Sequence, residues 1–215
     1  MPQLAEQYRP NTMEDVVGQD KAIRALGALQ KRGLGSRAIL LSGGTGTGKT
    51  TLARILARSI ADESAIEELD AGKLTPGRVD ELWAGMQYYG PGKGGRAVIV
   101  NECHKLKASA VTALLVELER IPSHALVIFT TTSDGLSSFQ DEQLDARPFV
   151  GRCNHVQLSR RDLAKPFAER IVQVAVKEGL AEPSEGLMAR AVRLVQDCRN
   201  SLREALMEVE QGALL

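Results

Sequence analysis

A chain of 215 residues can form one large domain, or a medium domain beside a small one, with a sizeable buried core either way. Its 43% hydrophobic and 25% charged residues, with no apolar run of about 18, argue against a membrane span, and 27 basic against 27 acidic side chains argue against a generally basic DNA-coating protein. Cys103, Cys153 and Cys198 lie far apart with no C-x-x-C pair, which argues against a disulfide framework or a zinc site; the N-terminus MPQLAEQYRPNTMEDVVGQD has no apolar stretch behind basic residues, so the expected address is the cytoplasm.

Residues 1–15 read as a polar arm. Apolar residues at helical spacing then predict a helix from about Gln19 to Lys31, stopped by Gly33. RAILLSGGTGTGKTTLARILARSIA runs from an apolar stretch through glycines into an amphipathic pattern, which is strand, loop, helix. Residues 61–95 are the least legible, with a strand near Ala65–Leu69 and a helix over Pro76–Met86 as the best assignments. RAVIVNE is a second apolar strand, KASAVTALLVELER an amphipathic helix and HALVIFTTTSD a third buried strand. Strands alternating with helices predict an α/β fold with a parallel sheet covered on both faces. After Leu158 only helical patterns remain, at Arg161–Lys177, Ser184–Asp197 and Ser201–Gln211, so the predicted division is residues 1–158 and a small three-helix domain over residues 159–215.

The strongest chemical signal is Gly43-Gly44-Thr45-Gly46-Thr47-Gly48-Lys49-Thr50, a full G-x-x-x-x-G-K-[ST] loop between a strand and a helix, with Thr51 next in line. Its glycines let successive N–H groups turn toward one point, and the helix N-terminus adds partial positive charge, a cradle for phosphate. Lys49 is expected to reach the outer phosphates of ATP and Thr50 to bind Mg²⁺. AVIVNECH sets Asn101 and Glu102 at the C-terminal end of a strand, where such a site needs a metal-supporting group followed by a base. Asn101 offers an oxygen without a negative charge, which predicts weaker hold on Mg²⁺; Glu102 is the candidate general base. His104 reads as a surface or capping residue.

The YRP at Tyr8–Pro10, the VVGQ at Val16–Gln19, the glycine loop, and NECHKL followed by a helix ending in ELERIP together resemble the AAA+ clamp-loader family, meaning DNA polymerase III gamma/tau and replication factor C small subunits, over nearly the whole chain. The resemblance implies an ATP-hydrolysing motor subunit with a helical lid. It also implies assembly with other AAA+ subunits around ATP and action on a sliding clamp and primer-template DNA. By the same resemblance Thr132, or Thr131, would touch the γ-phosphate side; Arg152 of Gly151-Arg152-Cys153 would reach a neighbouring subunit's ATP; Arg203 of NSLREAL would contact ATP from the lid; and Tyr8, Arg9 and Val17 would form the adenine pocket. On their own residues, the threonines are β-branched strand material and the arginines solvated charges.

The sequence also departs from the family. It has no four-cysteine zinc knuckle after the loop helix, and Asn101 is similar to that of loader subunits with a weakened magnesium site, implying slow turnover. Nothing after Leu215 supplies the family's helical collar domain, which implies either a shortened chain or assembly through the ATPase domains alone. A nucleotide-binding scaffold that hydrolyses weakly is the alternative reading, and another AAA+ DNA remodeller, such as a helicase loader, a further one. Lys73, Arg78, Lys105 and Lys107 could meet DNA phosphates, although in a neutral chain they read first as solvated charges.

Overall fold

The computed structural model describes residues 3–142 and 146–214. Five strands, β1 (Arg37–Ser42), β2 (Ile66–Asp70), β3 (Arg96–Asn101), β4 (Ala125–Thr131) and β5 (Asn154–Gln157), form one all-parallel sheet in the order β2-β3-β4-β1-β5. The α/β expectation therefore holds. RAILLS, RAVIVN and ALVIFTT are almost unbroken apolar runs because the central strands are buried on both faces, as a parallel sheet with helices on each side requires.

The side chains divide by parity. Ala38 and Leu40, Val98 and Val100, and Ala125, Val127 and Phe129 point to one face, where α4 (Pro76–Met86), α5 (Ala108–Glu117), α6 (Ser133–Glu142) and α7 (Ala146–Gly151) cover them. Their neighbours Ile39, Leu41, Ala97, Ile99, Leu126 and Ile128 point the other way, onto α2 (Asp20–Lys31) and α3 (Lys49–Ile60). A third apolar cluster joins α8 (Ala164–Lys177), α9 (Leu187–Asp197) and α10 (Leu202–Glu210) through Phe167, Ile171, Ala191, Val195 and Leu206. It also takes in Leu4 from α1 (Leu4–Gln7).

Three features depart from the sequence reading. The N-terminal arm contains α1 and is tied across the chain: the Leu4 amide donates to Glu210 at 2.8 Å, and Gln7 and the Tyr8 hydroxyl both donate to Glu178. The stretch NHVQ forms β5, a four-residue edge strand in which only Val156 is buried, too short to show a period. SDGLSSFQDE and ARPFVG form α6 and α7, whose buried Phe139 and Phe149 close the core edge-to-face, the latter also against Phe129. No helix among the described residues is long and apolar enough to cross a membrane.

Candidate functional site

The loop between β1 and α3 lies at the C-terminal edge of the sheet, where ligands of open parallel sheets bind. Gly46 and Gly48 hold φ of 74° and 100°, left-handed backbone that glycine adopts at low cost, and Gly48 caps the N-terminus of α3. That first turn carries no acidic residue, so the helix dipole faces the loop unopposed. Lys49 is 8% exposed and its ammonium donates to the Gly43 carbonyl at 2.9 Å and the Gly44 carbonyl at 2.7 Å. Burial pushes it down to about 8; Glu102 opposes the shift, while Arg160 and Arg203 add to it.

The loop is also gripped from outside. Gln19, 3% exposed, donates to the Thr47 and Ser159 carbonyls and accepts from the Ser159 amide at 3.0 Å, so one amide side chain staples the loop to the segment after β5. Arg160 lies across Gly44, where an added Cβ would stand 1.7 Å from its Nε. Ser201, which caps α10, lies over Gly46, where an added Cβ would stand 2.1 Å from its Oγ and 3.0 Å from its Cα. Gly46→Ala is therefore expected to destabilise the fold by about 2–4 kcal/mol, combining left-handed strain with overpacking against backbone. A denaturant titration checks this, and an unchanged midpoint would mean that α10 does not rest on the loop.

One cleft is lined by Thr45, Gly46, Thr47, Gly48, Lys49, Thr50 and Thr51 together with Tyr8, Arg9, Val17, Glu102 and Arg203. Ala5, Phe167, Leu202 and Leu206 add an apolar wall. Arg9 is anchored by Glu6 and by the Thr51 hydroxyl at 3.1 Å. Two cations lie over the Tyr8 ring, Arg170 at 5.9 Å and Lys177 at 5.1 Å from its centroid.

At the end of β3, Glu102 adopts φ 57°, an uncommon conformation that turns the chain sharply beside the cleft. Its amide donates to Thr130 Oγ1 at 3.4 Å, and its carboxylate sits 3.5 Å from His104 Nε2. His104 is thus not a free surface group: its ring is half-buried, with Nδ1 2.9 Å from Thr131 Oγ1. Asn101 Oδ1 accepts from Thr130 Oγ1 at 2.8 Å and from Thr50 Oγ1 at 3.4 Å, which brings the strand end to the phosphate loop. Hard oxygen donors at Thr50 and Asn101 suit Mg²⁺, and the described residues contain no cluster of three or more His, Cys, Asp or Glu able to hold a metal unaided.

The remaining sequence candidates fall outside this cleft. Thr132 Oγ1 accepts from the Gly135 amide at 3.0 Å, at the start of α6, and Thr131 is fully buried against His104. Arg152, at the end of α7, bonds to Glu119 at 3.0 Å. Sequence reasoning missed Gln19, Glu68, Thr130, Arg160, Arg170 and Ser201. Gln19 and Ser201 left a signal, each a polar residue opening a helix read in the sequence.

Residues 39–169 match the ATPase family associated with various cellular activities (AAA). The chain is 27% identical to DNA polymerase III subunit tau of Escherichia coli strain K12 and to DNA polymerase III subunit gamma of Buchnera aphidicola subsp. Schizaphis graminum, each over 97% of its length. It spans 34% and 60% of those two relatives. The Thermotoga maritima RuvB Holliday junction branch migration motor superposes on 94% of the chain, and on 64% of its own, with a TM-score of 0.70 at 24% identity, a likeness of fold. With its phosphate loop at the sheet edge and the family match across more than half of its residues, the chain belongs to the AAA ATPase family.

Proposed function

We propose that the chain binds ATP with Mg²⁺ in this cleft, hydrolyses it with Glu102 as general base, and serves as one subunit of a sliding-clamp loader built with other AAA+ subunits. The observation that carries the reading is that Lys49 from the loop, Glu102 from the end of β3 and Arg203 from α10 line one cleft although they are far apart in sequence. The loop amides and Lys49 bind and orient the triphosphate, and Tyr8, Arg9 and Val17 meet its adenosine end. Glu102 orients a water and takes its proton. Thr50, supported by Asn101, would hold Mg²⁺, which would supply charge neutralisation at the phosphates.

Residues 159–215 act as the lid in this reading, with Arg203 closing over the triphosphate. Thr132, or Thr131, senses the γ-phosphate side after a local rearrangement of the α6 cap. The clamp, primer-template DNA and a cytoplasmic setting are part of the same proposal, supported by the polymerase III subunits matched over 97% of the chain. A weakly hydrolysing scaffold is favoured by a single feature, the uncharged Asn101.

Arg152 leaves Glu119 on assembly and reaches the neighbouring subunit's ATP, where its charge offsets that developing on the transferred phosphoryl group. Mixing Arg152→Ala protomers with Lys49→Ala protomers tests this. Mixed assemblies should regain turnover at interfaces that pair an intact loop with an intact arginine, while either variant alone falls at least about a hundredfold. Wild-type turnover in Arg152→Ala alone would dismiss the role.

A further inference from the structure

Asn101 stands between two groups of opposite demand. Its Nδ2 lies 2.8 Å from Glu68 Oε1, and its Oδ1 faces the hydroxyls of Thr130 and Thr50. Glu68 comes from the edge strand β2, two positions behind Asn101 in the register that pairs Asp70 with Asn101, and Arg54 of α3 fixes its carboxylate with two bonds of 2.6 and 3.2 Å. An ionised carboxylate only accepts hydrogen bonds, so the Asn101 atom facing it must be the amide nitrogen. That choice directs the whole chain of bonds. The Glu102 amide donates to Thr130, Thr130 donates to Asn101 Oδ1, and Asn101 Nδ2 donates to Glu68.

The direction matters at Thr50. With Oδ1 toward it, the Thr50 hydroxyl spends its proton on Asn101 and keeps its lone pairs for a hard cation. With the amide reversed, the NH₂ would donate into those lone pairs. We infer that Glu68 is a positioning residue that locks the Asn101 amide with its oxygen toward Thr50, so that a neutral side chain serves a cation–phosphate site. The inference rests on the nucleotide reading above for its purpose, though not for its geometry.

The same arrangement forecasts an unusual response to restoring the acid. Asn101→Asp places a second carboxylate against Glu68, so the added charge is opposed at its own position.

The test is a double-mutant cycle over Asn101→Asp and Glu68→Gln, read as the Mg²⁺ concentration giving half-maximal retention of a fluorescent ATP analogue. It is joined by NMR of the Asn101 side-chain amide in nucleotide-free protein. Glu68→Ala is expected to raise the Mg²⁺ requirement about tenfold, the size usual for losing an outer support of a metal site, and to shift the Asn101 amide resonances. Glu68→Gln keeps a carbonyl to accept the Asn101 bond, though it gives up one of the two Arg54 bonds, and should stay closer to wild type than Glu68→Ala in both. Asn101→Asp should gain little alone and about tenfold in the Glu68→Gln background. Equal gains in both backgrounds, or Asn101 resonances indifferent to Glu68→Ala, would overturn the lock. Glu68-dependent resonances in a protein that takes up no nucleotide would instead sink the nucleotide reading and leave the lock standing.

Discussion

Lys49→Ala is expected to lower ATP affinity at least about a hundredfold in calorimetry, since two charge-assisted bonds to phosphate are each worth about 1.5–3 kcal/mol. In the free protein the ammonium is held between the Gly43 and Gly44 carbonyls, both part of the loop, so the positive charge is already placed where a phosphate would arrive. Its burial gives a pH signature. With the free pKa about 8, the group is charged below that pH, and a bound triphosphate raises it again. Affinity should therefore be flat below pH 8 and fall above it, approaching tenfold per unit, with net proton uptake on binding in the same range. For folding the sign is the reverse of a salt bridge. A lysine depressed from 10.5 binds fewer protons folded than unfolded between about 8 and 10.5, so Lys49 destabilises the free protein most below pH 8, and that penalty fades as pH rises through the window. ATP affinity unchanged in Lys49→Ala would remove the basis of the nucleotide site.

Glu102→Gln should leave ATP binding intact and slow single-turnover cleavage by about 10²–10⁴. The substitution keeps the shape of the side chain and removes its ability to take a proton. The backbone at this position is held by the Thr130 hydroxyl, so the variant's amide occupies the place of the carboxylate beside the loop. Cleavage indifferent to Glu102→Gln, with and without primed DNA, would leave the scaffold reading in possession.

The central strands and the loop were legible because their signals are dense: RAILLS, RAVIVN and ALVIFTT have no polar interruption, and eight consecutive residues satisfy the phosphate-loop pattern. β2 was found one residue early, because IEELD is a half-exposed edge strand with little to distinguish it from a turn. β5 and the helices α6 and α7 escaped, since four residues with one buried side chain carry no period and SDGLSS has weak helix propensity. The site was legible where it is local and opaque where it is assembled. Lys49, Thr50 and Glu102 announce themselves by spacing, whereas Glu68, Thr130, Gln19 and Arg160 reach the loop through strand register and long connections that no window of sequence contains. The hydrogen bond of His104 is hidden for the same reason: its partner Thr131 lies 27 positions away on the adjacent strand.

The outer grip on the glycines has a mechanical sequel. Arg160 and Ser201 lean on the loop, and the helices that carry Ser201 also hold the first residues of the chain through Leu4 and Glu210. The first helix and α10 are thus tied to one another beside the loop. A side chain added at Gly46 would therefore press on the start of the same helix, α10, that holds Leu4 through Glu210.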